Sequence, residues 1–303
     1  MKRITALLTA AAMSVCAASA LTAGAADENT YIPTLYFKAF DTDCISILPS
    51  GQTVYINVND LDGKTELDGQ IGVYIDDELQ RTGQIIARWV WEGGAVELTG
   101  VSKPDEAGMP APYDVSASSY GISTLFTPDT HTMGVNYQTS TNTMPLVPTG
   151  TSSDDYPLAV FDYSADTSAA AGRYEIAFKT ESRGYSSFLT NLSYRLSNGE
   201  SRDIKPDGDN AKSIFITIND RPLGDIDNNQ VVDGIDASAA LTAYAKQSVH
   251  LDSGLSNEGS LAADVDGDGV VTGIDASYIL SYYAYLSVRG DMSFVDFINS
   301  KNQ

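Results

Sequence analysis

The chain has 303 residues, 40 acidic against 18 basic, for a formal net charge of −22. That length exceeds one small domain and fits two, and a hydrophobic share of 43% is enough for a core, which excludes a disordered chain. The acidity argues against a nucleic-acid partner, whose phosphates would be repelled, and suits a protein that holds cations.

Residues 1–26 read as a secretory signal peptide. Lys2 and Arg3 precede a short apolar run, and small residues at Ala23 and Ala25 suit a signal peptidase. The mature protein is therefore expected outside the cell. Direct membrane insertion is not expected, because the run is short for a bilayer span and no second candidate follows. Cys16 falls within the signal and leaves Cys44 as the single mature cysteine, so no internal disulfide can form.

From about residue 29 to 220 the chain reads as strands. Apolar alternation or apolar runs occur at 34–40, 52–60, 70–77, 84–100, 157–165, 172–180, 188–197 and 213–220, punctuated by Gly, Asp, Asn, Ser and Pro. Many short strands with turn signals at this spacing predict an all-β sandwich of two sheets, of jelly-roll type. Alternation predicts Val54, Ile56 and Val58 on one face, with Tyr55 and Asn57 on the other. The stretch 101–156, rich in Ser, Thr, Pro, Gly and Asp, reads as long loops or an insertion, with short strand-like pieces such as 133–139.

No catalytic residue is expected in this domain. His131 and His250 stand apart, without local partners at metal-ligand spacing. The acid pairs Asp76–Asp77 and Asp154–Asp155 do not show two carboxylates held across a cleft, as glycoside hydrolysis requires. Ser186 follows Gly184 at nucleophile-elbow spacing, but Phe188 stands where the second glycine belongs. Trp89 and Trp91, at i and i+2, share a strand face. Two readings of that face remain: a core or protein-binding face, or a platform that stacks on sugar rings.

The C-terminal region, 221–303, holds a repeated phrase. D225-I-D-N-N-Q-V-V-D-G-I-D236 recurs 39 residues later as D264-V-D-G-D-G-V-V-T-G-I-D275. In loop 225–236 oxygen donors fall at Asp225, Asp227, Asn229, Asp233 and Asp236, and Val231 offers a backbone carbonyl. In loop 264–275 they fall at Asp264, Asp266, Asp268, Thr272 and Asp275, with the carbonyl of Val270. An oxygen at every second position wraps a hard cation that takes six to eight oxygen ligands, so two Ca2+ ions are expected. Val232 and Val271 should pack inward. A helix should follow each loop, with Ala240, Leu241 and Tyr244 in one and Ile279, Leu280 and Tyr283 in the other at helical spacing. The position-12 aspartate should start each helix. Pro222 discourages a helix entering the first loop, so each repeat reads as a loop followed by one helix.

The D-x-D-x-N/D-x-x-V-x-G-x-D pattern at both loops and the repeated G-I-D-A-S resemble a dockerin, the small calcium-dependent module of cellulosome proteins, over about residues 223–289. Two departures stand out. Ala263 replaces the glycine that Gly224 supplies before loop one, and Gln230 stands where calcium loops favour glycine for its positive φ. The resemblance implies a cohesin as partner, recognised through Gly234, Ile235, Ala237 and Ser238 and through Gly273, Ile274, Ala276 and Ser277. Near-identity of the repeats implies binding in either of two orientations.

The sandwich in turn resembles a cohesin in three places. One is G51-Q-T-V-Y-I-N-V, and another is L67-D-G-Q-I-G-V-Y-I-D-D-E-L79. The third is PLAVFDY, beginning at Pro157, together with A171-G-R-Y-E-I-A-F. Together the two resemblances imply a non-catalytic cellulosomal adaptor scaffoldin. It would capture dockerin-bearing enzymes or binding proteins and dock into the cohesin of a larger scaffoldin, through which it would associate with a cell surface. The alternatives are a dockerin-bearing carbohydrate-binding protein, with Trp89 and Trp91 as stacking residues, and a divergent glycoside hydrolase.

Overall fold

A computed structural model describes residues 27–40, 44–109, 120–139, 155–185 and 188–301. The expected signal peptide, Asp154 and Ser186 lie outside the described residues. The described residues from Ile32 onward form one compact unit in which strands precede helices.

The strands are β1 (Thr34–Ala39), β2 (Ser46–Ile47), β3 (Thr53–Asn57), β4 (Glu66–Asp76), β5 (Thr82–Trp91), β6 (Val96–Ser102), β7 (Tyr120–Thr127), β8 (Thr132–Thr139), β9 (Ala159–Asp166), β10 (Gly172–Phe178), β11 (Asn191–Arg195), β12 (Ser201–Ile204) and β13 (Ile214–Asn219). One sheet runs β1-β4-β9-β6. The other runs β12-β11-β5-β10-β13-β3-β2, with β8 paired to β5 and β7 to β8. Between them lies an aromatic core. Phe37 stacks on Phe178 at 4.2 Å between ring centroids, and Phe161 meets Phe37 edge-on while tilting against Trp89.

Strands form in the expected runs, with some differences, and β2 and β12 lie outside those runs. The run 84–100 is two strands, because the Gly93–Gly94 turn lets the chain fold back. Within 101–156 the strand-like piece 133–139 lies in β8, and β7, which composition did not reveal, completes a hairpin that extends the second sheet, since alternating Thr, Val, Tyr and Met suit a pleated surface. Val58 opens a short 3-10 turn and is only half-buried. Tyr55 is buried despite facing away from Val54 and Ile56, because the helical module covers it.

β13 pairs parallel with β3 and runs directly into Asp220 and Arg221, so the helical module leaves the sheet beside the β2–β3 turn. Its helices are α1 (Gly234–Gln247), α2 (Asn257–Ala263), α3 (Gly273–Leu286) and α4 (Phe294–Asn299). Here the expectation of a loop plus a single helix needs correction. α2 enters loop two, capped by Ser256, and α4 closes the module by laying Phe294, Phe297 and Ile298 into its core.

Candidate functional site

Each acidic loop is organised around its first and last aspartates. In loop one, Asp225 Oδ1 accepts from Asn229 N at 3.0 Å and Oδ2 from Gln230 N at 2.8 Å. Asp236 Oδ1 accepts from Ile226 N at 2.8 Å, and its Oδ2 from Asp233 N at 2.9 Å. Loop two repeats the scheme: Asp264 Oδ2 accepts from Gly269 N at 2.9 Å, Asp275 Oδ1 from Val265 N at 2.9 Å, and Asp275 Oδ2 from Thr272 N at 2.7 Å. Asp236 and Asp275 thus stand in the first turn of α1 and α3, not at their starts. The caps are Asp233 and Thr272, two residues before Ile235 and Ile274, to whose amides they bond at 2.6 and 3.1 Å.

The carboxylates of Asp225, Asp227 and Asp236 offer oxygens within 4.8 Å of one another, as do those of Asp264, Asp266 and Asp268. Asp225, Asp236 and Asp275 are wholly buried. Concentrating charge in this way costs free energy unless a cation enters. Burial, with Asp266 and Asp268 nearby, pushes Asp264 up to about 6 against the pull of Arg173. Burial and Asp275 push Asp266 up to about 6, and burial also raises Asp236 and Asp275. Asp264 Oδ1 is buried with no hydrogen-bond partner. A buried, unpartnered carboxylate oxygen on a member of such a cluster fits a hard divalent cation. Of the remaining expected ligands, Asn229 Oδ1 accepts from Val231 N, and Asp268 Oδ1 from Val270 N, both at 2.8 Å. Val271 is buried and Val232 half-buried against the module's core.

The expected partner-binding residues divide. Ile235, Ser238, Ile274 and Ser277 are exposed, and Gly234 and Gly273 are half-exposed. Ala237 and Ala276 are not surface residues: both lie in the module's core. α1 buries Ala237, Ala240 and Ala243, small side chains that let it approach α3 closely. Its large apolar side chains point the other way. Leu241 is 52% exposed and its counterpart Leu280 55%, Tyr244 43% and Tyr283 46%, Ile235 61% and Ile274 57%. A Cβ added at Gly234 would stand 3.9 Å from Tyr283, and one at Gly273 the same distance from Tyr244. The repeats are therefore related by a pseudo-two-fold axis, and each half of the apolar face mirrors the other. Sequence reasoning took Leu241, Tyr244, Leu280 and Tyr283 only as helix signals. Their spacing is helical whichever way they face.

Trp89 and Trp91 form no sugar platform. Trp89 is wholly buried among Phe37 and Phe161. Trp91 is 5% exposed, donates from Nε1 to Glu97 Oε2 at 2.9 Å, and stacks on His131 at 5.1 Å. Both point between the sheets, where their area stabilises the sandwich.

These features define a β-sandwich joined to a small helical interaction module with two acidic loops. Residues 223–282 match the family model of the dockerin type I domain, so the C-terminal module is a dockerin. The sandwich is similar in fold to solved cohesin modules at low identity. With the seventh ScaB type I cohesin from Pseudobacteroides cellulosolvens it shares 11% identity over 60% of this chain and 91% of that one, at a TM-score of 0.35. With CaCohA2 from Clostridium acetobutylicum it shares 17% over 62% and 92%, at 0.34. With the cohesin module of a family 33 glycoside hydrolase from Clostridium perfringens it shares 8% over 62% and 98%, at 0.31. No curated protein matches the chain.

Proposed function

We propose that the protein is a non-catalytic adaptor of a secreted, polysaccharide-degrading assembly, with modules at 29–220 and 221–303. Its dockerin takes one Ca2+ in each acidic loop and engages a cohesin through the two-fold apolar face. The observation that carries this is the matched exposure of Ile235, Leu241 and Tyr244 with Ile274, Leu280 and Tyr283. Large apolar side chains left outside a module that already has its own apolar core mark a protein-binding surface. Bound Ca2+ neutralises the carboxylates. Asp236 and Asp275 then tie each loop's start to the first turn of the helix that presents Ile235 or Ile274.

The sandwich captures the dockerin of another protein. This is supported by the cohesin-like phrases of the sequence and by the burial of both tryptophans, which removes the platform on which the sugar-binding reading relied. Calorimetry of the mature chain against a type I cohesin, with calcium and with chelator, tests the first half. The expected result is binding only with calcium. Pull-down on a dockerin panel and on insoluble polysaccharides tests the second, with capture of a dockerin and no retention on polysaccharide expected. Retention on cellulose without dockerin capture overturns the adaptor reading.

A further inference from the structure

The two acidic loops carry similar residues in different surroundings. Loop two lies against the sandwich. Ser50 N donates to Asp266 O at 2.8 Å, and Thr53 Oγ1 to Gly267 O at 2.6 Å. Arg173 of β10, stacked over Phe215 at 4.0 Å, donates from Nη1 to Asp264 Oδ2 at 2.8 Å. Further along the junction, Asn257 Nδ2 reaches Ala171 O at 2.7 Å and Asn299 Nδ2 reaches Ile47 O at 3.1 Å. Leu48 and Tyr55 are buried within the module's own apolar cluster.

The junction accounts for how the repeats differ. At position 4, Asn228 of loop one corresponds to Gly267 of loop two; at position 6, Gln230 corresponds to Gly269. All four have positive φ, at 62°, 77°, 70° and 94°, so backbone conformation does not separate the loops. Neighbours do. A Cβ on Gly267 would stand 2.8 Å from Leu48 Cβ and 2.9 Å from Thr53 Cβ, and one on Gly269 would stand 2.6 Å from Arg173 Nη1. Asn228 and Gln230 are exposed. Glycine at these positions of loop two makes room for the protein's own sandwich.

We propose that a divalent cation in loop two locks the dockerin onto the sandwich, while loop one is left outside this coupling. Asp266 and Gly267 occupy positions 3 and 4 of the loop, and their carbonyls accept the bonds from Ser50 and Thr53. Carboxylates that repel one another without a cation do not hold those carbonyls in place. The linkage is reciprocal: whatever factor the cation adds to docking, docking adds to the affinity of loop two. The lock leaves Ile235 and Ile274 exposed, so the apolar face stays open to a partner while the dockerin is held on the sandwich. This inference rests on the calcium reading but not on the choice of protein partner.

The test is hydrogen exchange on the full mature chain, with calcium and with chelator, read at the sandwich peptide spanning 46–55, which holds no proposed ligand. Exchange at Ser50 should slow about tenfold or more with calcium, as the bond to Asp266 is secured. In parallel, Leu48→Arg, which places a charge against Gly267, should weaken calcium at loop two about tenfold and leave loop one unchanged. Two calcium ions bound with Ser50 exchange unmoved overturn the lock while sparing the metal reading; so does a Leu48→Arg chain with wild-type affinity at both loops. A chain that binds no calcium overturns both.

Discussion

Gln230 is held at φ 70° in loop one, where the corresponding residue of loop two is glycine. Left-handed backbone costs an L-residue about 1–2 kcal/mol, because Cβ crowds the following carbonyl. Gln230→Gly removes that cost but frees the unfolded chain, which returns about 0.5–1 kcal/mol. The side-chain bond lost, Nε2 to Asn228 Oδ1 at 3.2 Å, is exposed and worth little. The net gain is about 0.5–1 kcal/mol, or about two- to fivefold in an equilibrium constant. If loop one closes only as the ion binds, this gain appears as calcium affinity. Calorimetric titration of the mature chain should therefore show the loop-one site tightened and the loop-two site unmoved. Gly269→Gln is the reciprocal change. It meets both the positive φ and Arg173, so it should weaken loop two by more than Gln230→Gly strengthens loop one. Unchanged or weaker calcium binding in Gln230→Gly would refute the strain argument.

Chelation of the mature chain should lower its helical circular dichroism, since α1 and α3 are capped by loop residues, while the strand signal persists; helix content indifferent to chelator refutes metal-dependent folding. Ile235→Asp and Ile274→Asp, each alone, should weaken cohesin binding only about twofold, the loss of one of two equivalent faces, and together abolish it. A single substitution that abolishes binding refutes equivalence. Trp89→Ala should cost about 3–5 kcal/mol in denaturant unfolding, as for a large aromatic removed from a core. Should it instead leave stability intact and lower retention on polysaccharide, the buried assignment of Trp89 fails.

Much of the sandwich was legible because its strands write their burial as alternation, as in β1, or as short apolar runs, as in β4, β9 and β13. β1, β4, β9 and β13 fall close to the expected runs. The errors arise where the signal is not local. β7 hides in a Ser- and Thr-rich stretch whose composition says loop, and although 133–139 reads as strand-like, the partner of that strand, β5, lies more than thirty residues earlier. Tyr55 alternates outward, yet a helical module entering some 170 residues later buries it. Helical spacing found α1 and α3 but not their orientation. α1 buries alanines and turns its larger side chains out, the reverse of the usual amphipathic helix, whereas α3 buries Ile279 and Tyr282 beside Ala276.

The repeated phrase was the most readable feature of the chain, and its exceptions prove as informative as its matches. Taken as a calcium loop alone, Gln230 looks like a defect and Gly269 like the norm. Both residues in fact adopt positive φ, so calcium-loop geometry asks for glycine equally at the two sites. Loop one meets that demand with a strained glutamine because its side chain has open surroundings. Loop two has no such latitude: at Gly269 a side chain would run into Arg173, and at Gly267 into Leu48 and Thr53. The glycines of loop two therefore answer to two constraints, the ion and the sandwich, of which only the first is written in the local sequence. Two nearly identical halves thus keep equivalent outer faces for a partner, while their inner faces have diverged to let one of them hold the rest of the protein.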